Sequence, residues 1–340
     1  MYLSLRDTVS GRVFDFLNDE GMQCSHTHEG LILLMNSLAL YREEGRALFP
    51  EVFIFDSLEP VLRMLPFSEH VSIGVGPKSA ATMSAALKKC APLAQEGWSI
   101  YILRDGDLFK FGLFRSGENV LSVRPADHLI NHGTPEVPAL FVHQIADNTV
   151  ELKGVNGGAL VVSFGAARVS AISPVEAQAA LVSSIVADVA NEVKEQTAAF
   201  YDSILSRVVK AGHGTLAVVV KHTKRSQLKI FSDCITLDPP VSATLPIMEL
   251  LKSNSCYANT LLQSKSALIS GMLLSDGITA FASDGSVRAY KIFIKHTKSK
   301  TNPNSGGARR RTFDILQSRV GRDLTCAFMQ SQDGATDYKK

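Results

Sequence analysis

Long apolar runs are missing from this sequence. No window approaches the roughly 18 consecutive apolar residues that a membrane-crossing helix needs, so no membrane span and no membrane partner is expected. Paired cysteines are missing too. Cys24, Cys90, Cys234, Cys256 and Cys326 are scattered, with no C-x-x-C spacing. That excludes the usual zinc and disulfide frameworks and fits reduced thiols in a cytoplasmic protein. The stretch from Met1 to Phe16 lacks a basic segment followed by an apolar run, so no secretory leader is expected. A dominant charge is absent as well. The formal net charge is only +2, from 35 basic and 33 acidic residues, which argues against wholesale nucleic-acid binding. Tryptophan occurs once, at Trp98, and is expected in a strand core.

What is present is a globular balance: 45% hydrophobic and 20% charged residues over a length of 340, enough for two cores and two domains. The first, residues 1–170, reads as a mixed α/β domain. "EVFIF" (51–55) and "VSIGVG" (71–76) are strand-type runs. "PKSAATMSAALKKCAPLA" (77–94) is a helix opened by Pro77. "WSIYILRDGDLFKFGLFR" (98–115) is a hairpin turning at Asp105-Gly106, and residues 137–164 repeat that logic at Asp147-Asn148 and Asn156-Gly157-Gly158.

The second domain, residues 171–340, opens on Ser173-Pro174-Val175-Glu176, a capping box with proline at the first helical position. Apolar residues at Val182, Ile185, Val189, Val193, Phe200, Ile204 and Val208 form one stripe, which predicts a single long helix ending before Gly212. "TLAVVVK" (215–221) reads as a strand buried on both faces. Helices are predicted at 245–252 and 258–274, and strands at 278–283 and 286–295 around Asp284-Gly285. A helix starts at 309, and residues 323–332 form a closing strand. The fold class is α/β, with a central mixed sheet flanked by helices in the second domain.

The chemistry concentrates in "NPNSGGARRRTF" (302–313). Gly306-Gly307-Ala308 precedes a helix start, where free N–H groups and the positive dipole end favour an anion. Arg309 and Arg311 add planar forks suited to phosphate oxygens. From Val287 to Phe313 there is no Asp or Glu, but eight basic residues: Arg288, Lys291, Lys295, Lys298, Lys300, Arg309, Arg310 and Arg311. A triphosphate is the natural ligand of such a surface; a solvated basic loop or an RNA-binding patch is the alternative. Asp276, beside Gly277 at a helix-to-strand junction, is a carboxylate able to hold a divalent metal next to a polyphosphate.

Asp276-Gly277-Ile278 resembles the Asp-Gly-Ala motif of diadenylate cyclase domains. Gly307-Ala308-Arg309-Arg310-Arg311 resembles their Gly-Thr-Arg-His-Arg motif, and the 33-residue interval from Asp276 to Arg309 is similar to the family's spacing. "GTLAVVVK" resembles the family's early core strand, and "SQDGA" (331–335) stands where it has a Ser-Glu-Glu-like stretch. The resemblance covers about residues 175–338. More faintly, the pattern around "LALYREEGRALF" (38–49) resembles an accessory, sensor-like domain that precedes such cyclases.

The resemblance implies a nucleotidyltransferase that joins two ATP into cyclic di-AMP and releases pyrophosphate, with two copies meeting face to face as a homo-oligomer. It implies Asp276 and Asp333 as catalytic residues holding Mg²⁺ or Mn²⁺. Gly277 and Ile278 would give backbone contacts to the nucleotide. Gly307, Ala308, Arg309, Arg310 and Arg311 would hold phosphates. The pattern departs from the family at four places: Arg310 replaces a histidine, Ala308 a threonine, Ile278 an alanine and Gln332 a glutamate. The competing expectation is a degenerate domain that binds a nucleotide without cyclising it.

Three other features carry no site. His26-Thr27-His28 lacks a third metal ligand and is expected in a loop. Gly74-Val75-Gly76-Pro77-Lys78 lacks the ending of a phosphate loop and reads as a strand-to-helix turn. No nucleophile elbow supports a Ser-His-Asp triad.

Overall fold

The computed structural model describes residues 5–95, 97–117, 125–126, 129–130, 136–146, 148–164, 174–210, 214–222, 231, 233–294, 307–331 and 335–340. The chain divides into two compact units, Met1–Ala167 and Arg168–Lys340, each a mixed α/β assembly.

The first unit opens with helices α1 (Leu5–Asp19) and α2 (Ser25–Leu38), then a short hairpin, β1 (Arg42–Glu43) and β2 (Arg46–Ala47). The remaining elements are β3 (Val52–Phe55), α3 (Leu58–Met64), β4 (Glu69–Pro77), α4 (Ala80–Cys90), β5 (Ser99–Asp105), β6 (Leu108–Arg115), β7 (Ala139–Ala146), β8 (Thr149–Gly154) and β9 (Ala159–Ser163). Strands β3 to β9 make one seven-stranded sheet in the order β4-β6-β5-β3-β7-β8-β9. Among the described strands of this sheet only β3 and β5 run parallel, with Val52 opposite Ile100. Alternation along β3 splits the core. Val52 and Ile54 pack with α1, α2 and α4, through Leu17, Leu31, Met35 and Met83. Phe53 and Phe55 face an aromatic cluster with Phe114 and Phe141. Helix α4 starts later than the sequence implied. Pro77 ends β4, and the Ser79 hydroxyl caps the helix by accepting the Thr82 N–H. His26, Thr27 and His28 lie in α2 rather than in a loop, and His28 Nε2 donates to the Ser10 carbonyl at 2.9 Å. Trp98 sits just before β5, half-buried, with the Arg115 guanidinium over its ring.

In the second unit the expected single long helix is two helices, α5 (Pro174–Ile185) and α6 (Asn191–Lys210). The cause is Asp188. Its carboxylate accepts hydrogen bonds from the Ser283 hydroxyl at 2.5 Å and from His222 Nδ1 at 3.0 Å, and its N–H donates to the Ser283 carbonyl. These contacts hold its carboxyl below the ordinary value and draw the backbone out of the helix. The two helices fold back on each other, so that Gln178 reaches Asp202 and Ser206.

The later elements are β10 (Thr215–Val220), β11 (Asp233–Ser242), α7 (Thr244–Ser253), α8 (Cys256–Leu274), β12 (Ile278–Ala282), β13 (Ser286–Phe293), α9 (Ala308–Gln317), β14 (Cys326–Gln330) and β15 (Thr336–Lys339). They build a six-stranded sheet, β11-β13-β12-β10-β14-β15. Again one pair is parallel, β10 with β12, Leu216 standing opposite Ile278. Every residue of β10 is buried, as a continuous apolar run requires. Leu216, Val218 and Val220 pack beneath Phe313 and Leu316 of α9. The other face meets α6, where Tyr201 abuts Phe281 edge-on. Two strands escape the sequence reading. β11 contains Pro239 and Pro240, which an edge strand with an irregular register tolerates. β15 follows β14, so the expected closing strand is not the last.

Candidate functional site

The end of this sheet where β10 and β12 begin gathers the two motifs. Parallel register places Gly214, just before β10, level with Asp276, just before β12. Neighbouring strands lie about 4.8 Å apart. Helix α8 ends at Leu274, and the chain turns into β12 through Ser275, Asp276 and Gly277. Gly277 has φ +100°, and a Cβ there would come within 3.0 Å of the Lys291 Cα. Only glycine fits both constraints. The turn leaves Asp276 exposed, with Oδ1 accepting the Gly277 N–H at 3.0 Å. Among the described residues, Oδ2 has no partner. Ile278 is buried, its side chain in the core beneath α9, so only its backbone stands near the turn. Lys291 reaches the same end of the sheet through a register shift between β12 and β13, with φ +49° and an exposed side chain.

Helix α9 delivers the second motif. It begins at Ala308, so the three arginines lie in its first turn, not in a loop. Gly307 is the N-cap and offers no side chain to the free N–H groups, and the first turn holds no acid. Gly307 and Ala308 are both exposed. Successive helical residues point about 100° apart, and the arginines diverge accordingly. Arg309 lies against the start of β10: a Cβ at Gly214 would stand 2.9 Å from its Nη1 and 3.0 Å from the Gln330 carbonyl oxygen. Gly214, with φ +74°, makes room for it. Among the described residues Arg309 has no carboxylate partner and no hydrogen-bond acceptor. Arg310 turns away from Gly214. Its Nη1 donates to Asp337 of β15 at 2.7 Å, its Nε lies 3.2 Å from Asp314, and its guanidinium covers Phe313. Arg311 is exposed on the helix surface.

The structure therefore brings together Asp276, Gly277, Gly214, Lys291 and Arg309, and it sends Arg310 elsewhere. Asp333 and Gln332 lie outside the described residues. Their neighbours Ser331 and Ala335 are joined by a 2.8 Å backbone bond, beyond the Thr215–Gln330 pair at this same end of the sheet. Gly306, Lys295, Lys298 and Lys300 also lie outside the described residues. Arg288 does not join the group; it pairs with Asp284 at 2.6 Å, at the opposite end of β12.

Sequence reasoning missed Gly214 as a site residue, although a glycine before a fully buried strand was its signal. It missed Asp337 altogether, because nothing near Arg310 in sequence points to it. Chemically, the cluster offers a guanidinium with no partner among the described residues, a helix N-terminus whose N-cap has no side chain, and one exposed carboxylate, which suits an anion bridged to a cation. Among the described residues no three His, Cys, Asp or Glu side chains gather as a ready-made metal cage, and no helix is long and apolar enough to cross a membrane. No protein-family model matches the chain, and the curated proteins and solved structures likewise yield no similar protein.

Proposed function

We propose that the second unit is a nucleotidyltransferase of the diadenylate cyclase type, joining two ATP into a cyclic dinucleotide and releasing pyrophosphate. In this reading the first unit regulates it. One observation carries the proposal: two motifs 33 residues apart in sequence converge on one end of a parallel strand pair, where Arg309 has no counter-ion among the described residues. A buried or half-buried guanidinium without an acid is costly to leave unmatched. A phosphate can satisfy it bidentately.

The chain's own groups divide the work. Arg309 and the first N–H groups of α9 hold phosphate oxygens and stabilise the charge that develops during transfer. Gly277 brings the backbone close to the nucleotide. Asp276, with one oxygen committed to the turn and the other open, fits as a ligand for Mg²⁺ or Mn²⁺. Such a cation lowers the pKa of an attacking hydroxyl when bound. The 3′-hydroxyl of one ATP forms a new bond to the α-phosphorus of the other. The bond to the β-phosphate oxygen breaks, pyrophosphate leaves, and the hydroxyl proton passes to solvent. Each copy of the second unit holds one nucleotide, so two chains must face each other and closure of the ring repeats the step.

The test is incubation of the full chain with ATP and Mn²⁺ or Mg²⁺, followed by mass spectrometry and by dilution. Cyclic di-AMP whose specific rate falls on dilution is expected. ATP binding without any cyclic product would leave a nucleotide-binding module in place of an enzyme. Failure to bind ATP at all would remove both readings.

A further inference from the structure

The geometry points to Arg310 as a positioning residue that sets α9 against the sheet, rather than as a ligand for phosphate; this inference rests on the nucleotide-binding reading above. Across β10, β14 and β15 the register aligns Leu216, Met329 and Asp337 in one row. Asp337 is the outermost of the three, on the sheet-edge strand. Helix α9 crosses that face, with Phe313 and Leu316 buried beneath it. Of Arg309 and Arg310, only Arg310 ties its first turn to the sheet. Arg310 reaches outward to the Asp337 carboxylate, and Arg309 reaches the start of β10, two strands away.

The Arg310 charge is already matched. Besides Asp337 it has Asp314 one turn along the helix, and Asp337 is itself held by accepting the Tyr338 N–H at 2.8 Å. The side chain of Asp337 is only 20% exposed, so losing its arginine would leave a poorly solvated carboxylate. Turning Arg310 toward a phosphate would break two ion pairs to make one contact. Among the described residues Arg309 has no such competitor. The helix therefore assigns its arginines to different tasks: one anchors the helix, and its neighbour stays free for the ligand.

The sign of one substitution separates the two roles. Asp337→Asn keeps the shape but releases Arg310. If Arg310 positions the helix, ATP affinity measured by calorimetry falls roughly three- to tenfold. Arg310→Gln falls equally, and the double variant is no worse than either single one. The charge swap, Arg310→Asp with Asp337→Arg, recovers most of the loss. If Arg310 is instead a phosphate ligand held back by Asp337, Asp337→Asn tightens ATP binding, and that result overturns the inference. So does a double variant whose loss is the product of the two single losses. Arg310→Lys, which keeps a cation for Asp337, stays within about twofold of the parent and serves if Asp337→Asn does not fold. A tenfold loss in that variant, with melting unchanged, also overturns the inference. Parent chain that binds ATP while Asp337→Asn has no effect sinks the positioning role alone. Parent chain that binds no ATP sinks the nucleotide reading with it.

Discussion

The two units share a plan and differ in what they do with arginine. Each has one mixed sheet with a single parallel pair, β3 with β5 in the first and β10 with β12 in the second. In the first unit, Arg104 at the end of β5 forks onto Asp56 with bonds of 2.6 and 2.7 Å, and its third nitrogen donates to the Met22 carbonyl at 2.6 Å. Its side chain is only 9% exposed. All three of its guanidinium nitrogens donate within the protein, so this arginine is engaged in holding the fold together. In the second unit, Arg309 sits beside the parallel pair with no partner among the described residues. The residue type is the same, but one copy is satisfied within the fold and the other has no partner among the described residues, which is what the proposed phosphate contact requires.

That contrast can be broken most severely at the carboxylate. Asp276→Asn keeps the turn, because an amide oxygen can still accept the Gly277 N–H, but it removes the charge a divalent cation needs. Cyclic product should drop below detection, while ATP affinity falls only a few-fold and the melting temperature holds. Product at the parent rate would remove Asp276 from the site.

Arg104→Ala should do the reverse. Losing the fork onto Asp56 and the bond to Met22 costs about 2 kcal/mol of stability in the first unit. ATP affinity of the second unit should not change. A shift in nucleotide affinity with unchanged melting would erase the division between a structural and a functional arginine.

Arg309→Ala sharpens the comparison from the other side. A charge-assisted hydrogen bond contributes on the order of 1.5–3 kcal/mol, so ATP should bind roughly tenfold more weakly or worse. Stability should move by no more than about 0.5 kcal/mol, as for a change that breaks no native hydrogen bond or ion pair. Calorimetric titration and thermal melting of the same sample decide it; a large loss of stability with unchanged ATP affinity would make Arg309 another Arg104.

The smallest effect concerns acid. Burial alone would raise the Glu151 carboxyl, but hydrogen bonds and charge from His143 and Lys153 outweigh it and hold it below its ordinary 4.5. A carboxylate with a depressed folded value stabilises above about pH 4.5, and that stability drains away as pH falls through the folded value. Glu151→Gln should cost about 1 kcal/mol at pH 7 and progressively less below pH 4.5. A cost that stays constant down to strongly acidic pH would show that packing, not charge, is what Glu151 provides.

Local chemistry made much of this legible in the sequence. The continuous apolar run at 215–220 could only be a strand covered on both sides, and it is. Asp105-Gly106 and Asp284-Gly285 turn their hairpins where glycine permits it. Gly307-Ala308 begins a helix because the residues after it favour one and nothing before it does. These features depend on residues a few positions apart, so the sequence by itself determined them.

What lay beyond local reach was decided only by tertiary structure. The apolar stripe from Val182 to Val208 is continuous, yet the helix breaks at Asp188, because Ser283, 95 residues away, supplies a better partner than the helix does. The prolines of β11 are tolerated only because the sheet places that strand at its edge. Three consecutive arginines look alike on paper. Helical rotation separates them, an acid 27 residues later claims Arg310, and a glycine before β10 receives Arg309. Sequence determined that this end of the chain is basic. Only the assembled sheet determined which of the described arginines found an acid, because pairing depends on which distant carboxylates the fold brings within hydrogen-bond reach.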